Sequence, residues 1–198
     1  MRISAIIFDC FGVLVEASLE PFCNKYLGND TERLTQVKSL DDKACSGTIT
    51  YEVYVEEMAK LAGISVDEAT EFLDRNPANR ELLNYIGTEL RPRYKIGLLS
   101  NASDNWLEEL FTPEELSLFN DTVLSFEHGI VKPDPAIFNL AAKRLGVQTG
   151  ECVFVDDRLE YCNGATKAGM RAICYKSLDQ LKNDLSVTLI GESGTNAT

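Results

Sequence analysis

A carboxylate closes the first apolar run of this chain. Asp9 follows Ile3–Phe8 and is itself followed by Cys10-Phe11-Gly12. Ser100-Asn101 closes a second run, Asp156-Asp157 closes Cys152-Val-Phe-Val155, and Lys132 stands in a loop, Glu127–Pro135, after a third. An aspartate is a competent nucleophile toward phosphorus, giving an aspartyl-phosphate. Carboxylates gathered in one crevice repel each other unless a hard cation sits among them, and magnesium takes oxygen ligands. A lysine and a serine hydroxyl can hold the non-bridging oxygens of a transferring phosphoryl group. Gly12 permits a backbone turn that aims amide N–H groups at the same oxygens.

Taken singly, each residue has a plainer reading. Asp9 is a turn residue or cap, Lys132 a solvated loop lysine, and Ser100-Asn101 and Asp156-Asp157 are helix N-caps. Their joint placement is what favours a site, and the elements around them supply the reason. Helical patterns fill most of 16–80: short polar ones around Leu19–Leu27 and Leu34–Leu40, one capped by Thr50 and stopped by Gly63, and one opened by Ser65-Val-Asp-Glu68. From there helices and strands alternate. Helices are expected over Arg80–Leu90, Pro135–Leu145 and Tyr161–Ala168, with helical turns in Asp104–Phe111 and after Thr112-Pro-Glu-Glu115. Strands are expected at Lys95–Ser100, Asp121–Phe126, Cys152–Val155 and Arg171–Tyr175. Such alternation predicts an α/β fold, a doubly wound parallel sheet buried on both faces. Ligands bind such sheets beyond the carboxyl ends of the strands, where these polar residues stand.

Composition narrows the partners. A net charge of −12 argues against nucleic acid or an anionic membrane. No apolar run reaches the roughly 18 residues of a membrane span, and the N-terminus lacks a signal-peptide pattern. Six scattered cysteines without CxxC pairs read as reduced structural thiols, so a cytoplasmic location is expected.

The segments FDCFGVL (8–14), LLSNAS (98–103), the Lys132-Pro133 segment and VFVDDRLEYCNGA (153–165) together resemble the haloacid dehalogenase superfamily of aspartate-nucleophile hydrolases, in that family's order. The resemblance implies an α/β core over 1–15 and 81–190, a helical cap over 16–80, and a patternless, disordered tail over 191–198. It implies that Asp9 attacks phosphorus and that Asp9, the Phe11 carbonyl, Asp156 and Asp157 hold Mg2+. Phosphate would be bound by the main chain at Phe11 and Gly12, by Ser100 and Asn101, and by Lys132, which also neutralises the nucleophile. The expected activity is magnesium-dependent hydrolysis of a small phosphorylated metabolite.

Two residues depart from the pattern. Phe11 stands where the family's phosphatases carry a second aspartate as general acid and base, and Tyr161 stands where Asn or Asp is common. Phe11 favours a carbon–halogen hydrolase as an alternative, whereas the paired Asp156-Asp157 favours phosphate. Both aromatics also fit a catalytically weakened phosphate-binding or regulatory protein. His128, the single histidine, reads as a surface or supporting residue. Trp106 and the cap aromatics Phe22, Tyr26, Tyr51, Tyr54 and Phe72 read as packing.

Overall fold

The computed structural model describes residues 2–190; the expected disordered tail, 191–198, lies outside the described residues. Five parallel strands form one sheet in the order β3-β2-β1-β4-β5: β1 Ala5–Phe8, β2 Lys95–Ser100, β3 Asp121–Leu124, β4 Cys152–Asp156 and β5 Arg171–Cys174. Alternate residues feed two cores. Ile6, Phe8, Ile96, Leu98, Val153 and Val155 pack on one face, and Ala5, Ile7, Leu99, Cys152 and Phe154 on the other. Burial on both faces explains why the strands read as unbroken apolar runs.

Register then decides where the polar residues fall. Phe8 pairs with Leu98 on one side and with Val155 on the other. One step further along, Asp9 comes level with Leu99 and Asp156. A strand's side chains alternate with period two, so Asp9 shares the face of Ala5 and Ile7, and Asp156 that of Cys152 and Phe154. Two carboxylates are thereby set side by side on one face. They also flank the boundary between β1 and β4, where the strand order reverses, which is where ligands bind in doubly wound sheets.

Between β1 and β2 the chain inserts α1 Leu19–Tyr26, α2 Thr31–Cys45, α3 Tyr51–Ala62 and α4 Val66–Leu73, followed by α5 Arg80–Tyr85. The first four build their own apolar cluster around Phe22, Val37, Tyr54, Val55, Met58, Ala69 and Leu73. Thr50, Ser65 and Asn79 accept the N–H bonds expected of N-caps, and Gly63 is left-handed at φ 70°. The insertion enters and leaves at one point: Glu16 N–H donates to Pro77 O at 3.0 Å and Asn79 N–H to Leu14 O at 2.8 Å.

The remaining helices are α6 Leu107–Leu110, α7 Pro113–Leu116, α8 Pro135–Arg144, α9 Leu159–Lys167 and α10 Leu178–Ile190. Thr112 and Glu115 close a reciprocal capping box on α7. Among the described residues no helix is long and apolar enough to cross a membrane.

Several boundaries differ from the sequence reading. The helix expected over Arg80–Leu90 is an α-helix to Tyr85 that continues as a π turn, Ile86–Leu90. The third strand ends at Leu124, where Ser125–Glu127 turns into a 3₁₀ helix, and the last strand ends at Cys174. The helix expected from Tyr161 starts at Leu159. The polar pattern around Leu34–Leu40 is one helix of 15 residues, opened by Asp30 as its N-cap. Sequence reasoning missed α10, although its signal was present. Ser177 accepts from Gln180 N–H, Gln180 Oε1 accepts from Lys176 N–H, and Leu178, Leu181 and Leu185 fall on one face.

Leu181 is fully buried against the first core, with Leu185 beside it. Leu181→Ala is expected to lower unfolding free energy by about 2–5 kcal/mol in urea titration, the cost of an unfilled core cavity. A loss below about 1 kcal/mol would show that α10 does not close this face.

Candidate active site

Lys132 reaches between the two paired carboxylates. Its ammonium lies 2.6 Å from Asp9 Oδ1 and 2.7 Å from Asp156 Oδ2, and all three residues are buried. Burial works against the lysine's charge, but Asp9 and Asp156 outweigh it and hold the ammonium above its ordinary range. For Asp9 the balance tips the other way. Burial pushes its carboxyl up to about 7, with Lys132 pulling back and Asp156 adding to the rise.

The Lys132 loop is clamped rather than solvated. Asn101 Oδ1 accepts from Lys132 N–H at 2.8 Å, and Asn101 Nδ2 donates to Lys132 O at 3.1 Å. The amide thus imitates a strand neighbour and fixes the main chain on both sides of the lysine. On the far side, α9 packs so closely that a Cβ on Gly164 would fall 2.6 Å from Pro133 O. Ser100 is buried at the end of β2, with a long 3.4 Å contact to Asn101 O.

Asp156 is fully engaged: Oδ2 meets Lys132 and Oδ1 accepts from Arg158 N–H at 2.8 Å. Asp157 is more open, and burial together with Asp156 raises its carboxyl. It lies over Gly12, where φ is 92° and a Cβ would come within 2.7 Å of the Asp157 carboxyl group. Gly12 is therefore required twice, for its conformation and for the space. The loop it belongs to folds around Cys10 O, which accepts the N–H groups of Val13, Leu14 and Val15.

Asp9, Asp156 and Asp157 each offer an oxygen within 4.8 Å of the others. Three carboxylates against one ammonium leave an excess of negative charge, and an all-oxygen donor set suits a hard dication. The residues present fit magnesium.

Phe11 and Tyr161, the two departures from the expected pattern, have clear partners. The Phe11 ring meets Trp106 edge to face at 5.6 Å, and Trp106 meets Tyr51 of the insertion at 5.0 Å. Tyr161 Oη accepts from Arg158 Nη1 at 2.6 Å and from Asn101 Nδ2 at 3.4 Å. Its ring lies 4.8 Å from the Lys132 ammonium and 4.3 Å from the Arg158 guanidinium. Phe22, Tyr26 and Phe72 pack on one another inside the insertion, as expected of core aromatics. His128 follows β3, its Nε2 shielded and 3.9 Å from Glu127 Oε2. Sequence reasoning did not single out Arg158, which adjoins Asp157 and stacks on Tyr161.

A family profile for haloacid dehalogenase-like hydrolases matches residues 3–169. Over 80 residues the chain is 41% identical to a glyceraldehyde 3-phosphate phosphatase of Methanopyrus kandleri, covering 39% of this chain and 34% of that protein. Over 81 residues it is 35% identical to (S)-2-haloacid dehalogenase 4A of Burkholderia cepacia, covering 40% and 35%. The matched segments thus span about a third of each of these two relatives. A HAD-family enzyme from Bacteroides thetaiotaomicron, solved with magnesium and inorganic phosphate, shares the fold at TM-score 0.71 and 24% identity, over 90% of this chain and 98% of that one.

Removing the lysine exposes the conflict it resolves. In chelator, Lys132→Ala is expected to cost about 3–5 kcal/mol, because two buried carboxylates lose their common partner. Without Lys132 the folded Asp9 keeps its proton above the value of about 7 it has in the native protein. The variant therefore goes on losing stability as pH rises past 7, where the native protein no longer does. Urea titrations at pH 6 and 8.5 test this: an equal deficit at both would contradict it.

Proposed function

The chain belongs to the haloacid dehalogenase-like hydrolases, and from that premise we propose that it hydrolyses a small phosphate monoester, with magnesium, through a phosphorylated Asp9. The observation that carries this reading is the charge balance: three carboxylates within 4.8 Å and a single buried ammonium among them. Such a site suits a dication and a dianionic phosphoryl group together.

Asp9 Oδ1 is held by Lys132, so Oδ1 and Oδ2 are unequal, and the carboxylate has a fixed orientation toward an incoming phosphorus. The Lys132 ammonium neutralises the nucleophile in the resting site and the phosphoryl oxygens as they arrive. The Ser100 hydroxyl, which makes one long bond, is free to donate to a phosphoryl oxygen. Asn101 supports that role by holding the Lys132 loop. Asp9, Asp157 and the Phe11 carbonyl would hold magnesium, and Asp156 orients Lys132 beside them. When bound, the ion offsets the carboxylate charge and that of the phosphoryl oxygens. A small cytoplasmic metabolite is the substrate class this reading implies.

A second reading has its own observation. The Phe11 ring, two residues along the chain from Asp9, packs with Trp106 and through it Tyr51, and an aromatic surface of this kind suits an uncharged carbon–halogen centre. Halide release from a 2-haloacid panel in chelator would favour it.

The deciding experiment screens phosphorylated metabolites with magnesium, using the native protein and Asp9→Asn. Native turnover is expected to vanish in chelator and to fall by at least about 10³-fold in Asp9→Asn, as for the loss of other catalytic nucleophiles. Phosphate release that survives Asp9→Asn would remove the mechanism.

A further inference from the structure

An alkoxide leaving phosphorus is strongly basic and departs with a proton supplied by an acid. Among the described residues, the carboxyls clustered with Asp9 are engaged: Asp156 is bonded at both oxygens and Asp157 belongs to the cation cluster, while Phe11 presents a ring. The helical insertion brings in another. The last turn of α2 is tied to the core, for Cys45 O accepts from Ser125 Oγ at 2.5 Å, and Ser125 Oγ accepts from Ala102 N–H at 3.0 Å. Ala102 lies two residues beyond Ser100. One helical turn before Cys45, on the same face, stands Asp41, its Oδ1 3.9 Å from Cys45 Sγ.

The half-buried Asp41 interacts electrostatically with Arg158, on the connection that follows β4. Its charge is felt at Tyr161, whose ring lies against Lys132, and the Arg158 guanidinium acts on it in return. Cys45, on the same turn, is in turn within reach of the Lys132 charge. Resting on the phosphomonoesterase reading, we propose that Asp41 is the general acid and base of this site, supplied from the insertion in place of one beside the nucleophile.

The proton count closes. As the Asp9 oxygen–phosphorus bond forms and the ester P–O bond breaks, the Asp41 carboxyl passes its proton to the departing oxygen, which leaves as an alcohol. In the second half, water attacks the aspartyl-phosphate and gives a proton to the Asp41 carboxylate, and the Asp9–phosphorus bond breaks. Inorganic phosphate leaves with Asp9 ionised and Asp41 protonated again. The groups facing Asp41 fit this cycle. Burial raises its carboxyl to about 6, Asp42 adds to the rise, and Arg158 and Cys45 oppose it. Tyr54 from α3, Cys23 from α1 and Tyr161 from α9 are the other titratable neighbours, and all three are uncharged near neutrality.

The test compares p-nitrophenyl phosphate, whose leaving group needs little help, with a panel of alkyl phosphates including glycerol phosphate. Asp41→Asn is expected to cut kcat/KM on the best alkyl phosphate by about 10²–10⁴-fold and on the aryl ester by far less. Glu32→Gln, in the exposed first turn of α2, should leave the alkyl-to-aryl ratio where it was. In the native protein that ratio should fall as pH rises through about 6. Equal losses on both substrate types, or a ratio flat in pH, would overturn the assignment. So would a native protein that turns over the aryl ester and no alkyl phosphate. Failure to turn over even p-nitrophenyl phosphate with magnesium would instead strike the parent reading, and this one with it.

Discussion

One ammonium between two carboxylates holds this molecule's chemistry in place. Parallel pairing of β1 with β4 puts Asp9 and Asp156 level and on the same face, and burial denies them water. Charges so placed repel each other strongly unless they are compensated. Lys132 compensates them, and the neighbouring structure serves to keep it there. Asn101 grips its main chain from β2, Gly164 gives up a side chain so that α9 can press on Pro133, and Tyr161 covers the ammonium with a ring face. The site is thus a charge arrangement first, with each loop shaped around it.

The two aromatics that depart from the family pattern take on structural sense in this setting. Phe11 starts a line of rings through Trp106 and Tyr51 that reaches the insertion. Tyr161 holds Arg158 at the mouth of the crevice while shielding Lys132. Phe11 thus couples the core to the insertion, while Tyr161 braces the loops that carry Lys132 and Arg158. A site that takes its acid from the insertion has reason to fix the insertion firmly.

How much of this could be read from residue order varies with the cause. The strand ends were legible, because a carboxylate or a lysine after an apolar run stands out and the alternation of elements fixes which end it occupies. Asp9, Ser100, Lys132, Asp156 and Asp157 were picked out as candidates that way. Asn101 was a candidate as well, but its engagement with the Lys132 main chain depends on two loops 31 residues apart meeting, which no local pattern encodes. Asp41 was invisible for a different reason. It lies in a polar helix among Asp42, Lys38 and Lys43, and only the docking of α2 onto Ser125 separates it from its solvated neighbours. The helix α10 was simply overlooked, since its apolar residues are spaced as any amphipathic helix requires. The π turn after Tyr85 has no distinctive residue to announce it.

The paired backbone at Glu16–Pro77 and Leu14–Asn79 makes the insertion a side branch of the core. The two chain ends leave the sheet side by side, so lengthening, shortening or replacing what lies between them leaves the strand register undisturbed. The charge arrangement at the strand ends is fixed by strand register, while the branch above it meets the core only through that paired neck and a few contacts such as Cys45–Ser125 and Tyr51–Trp106. What faces a leaving group could therefore be rebuilt on the branch without moving a single strand.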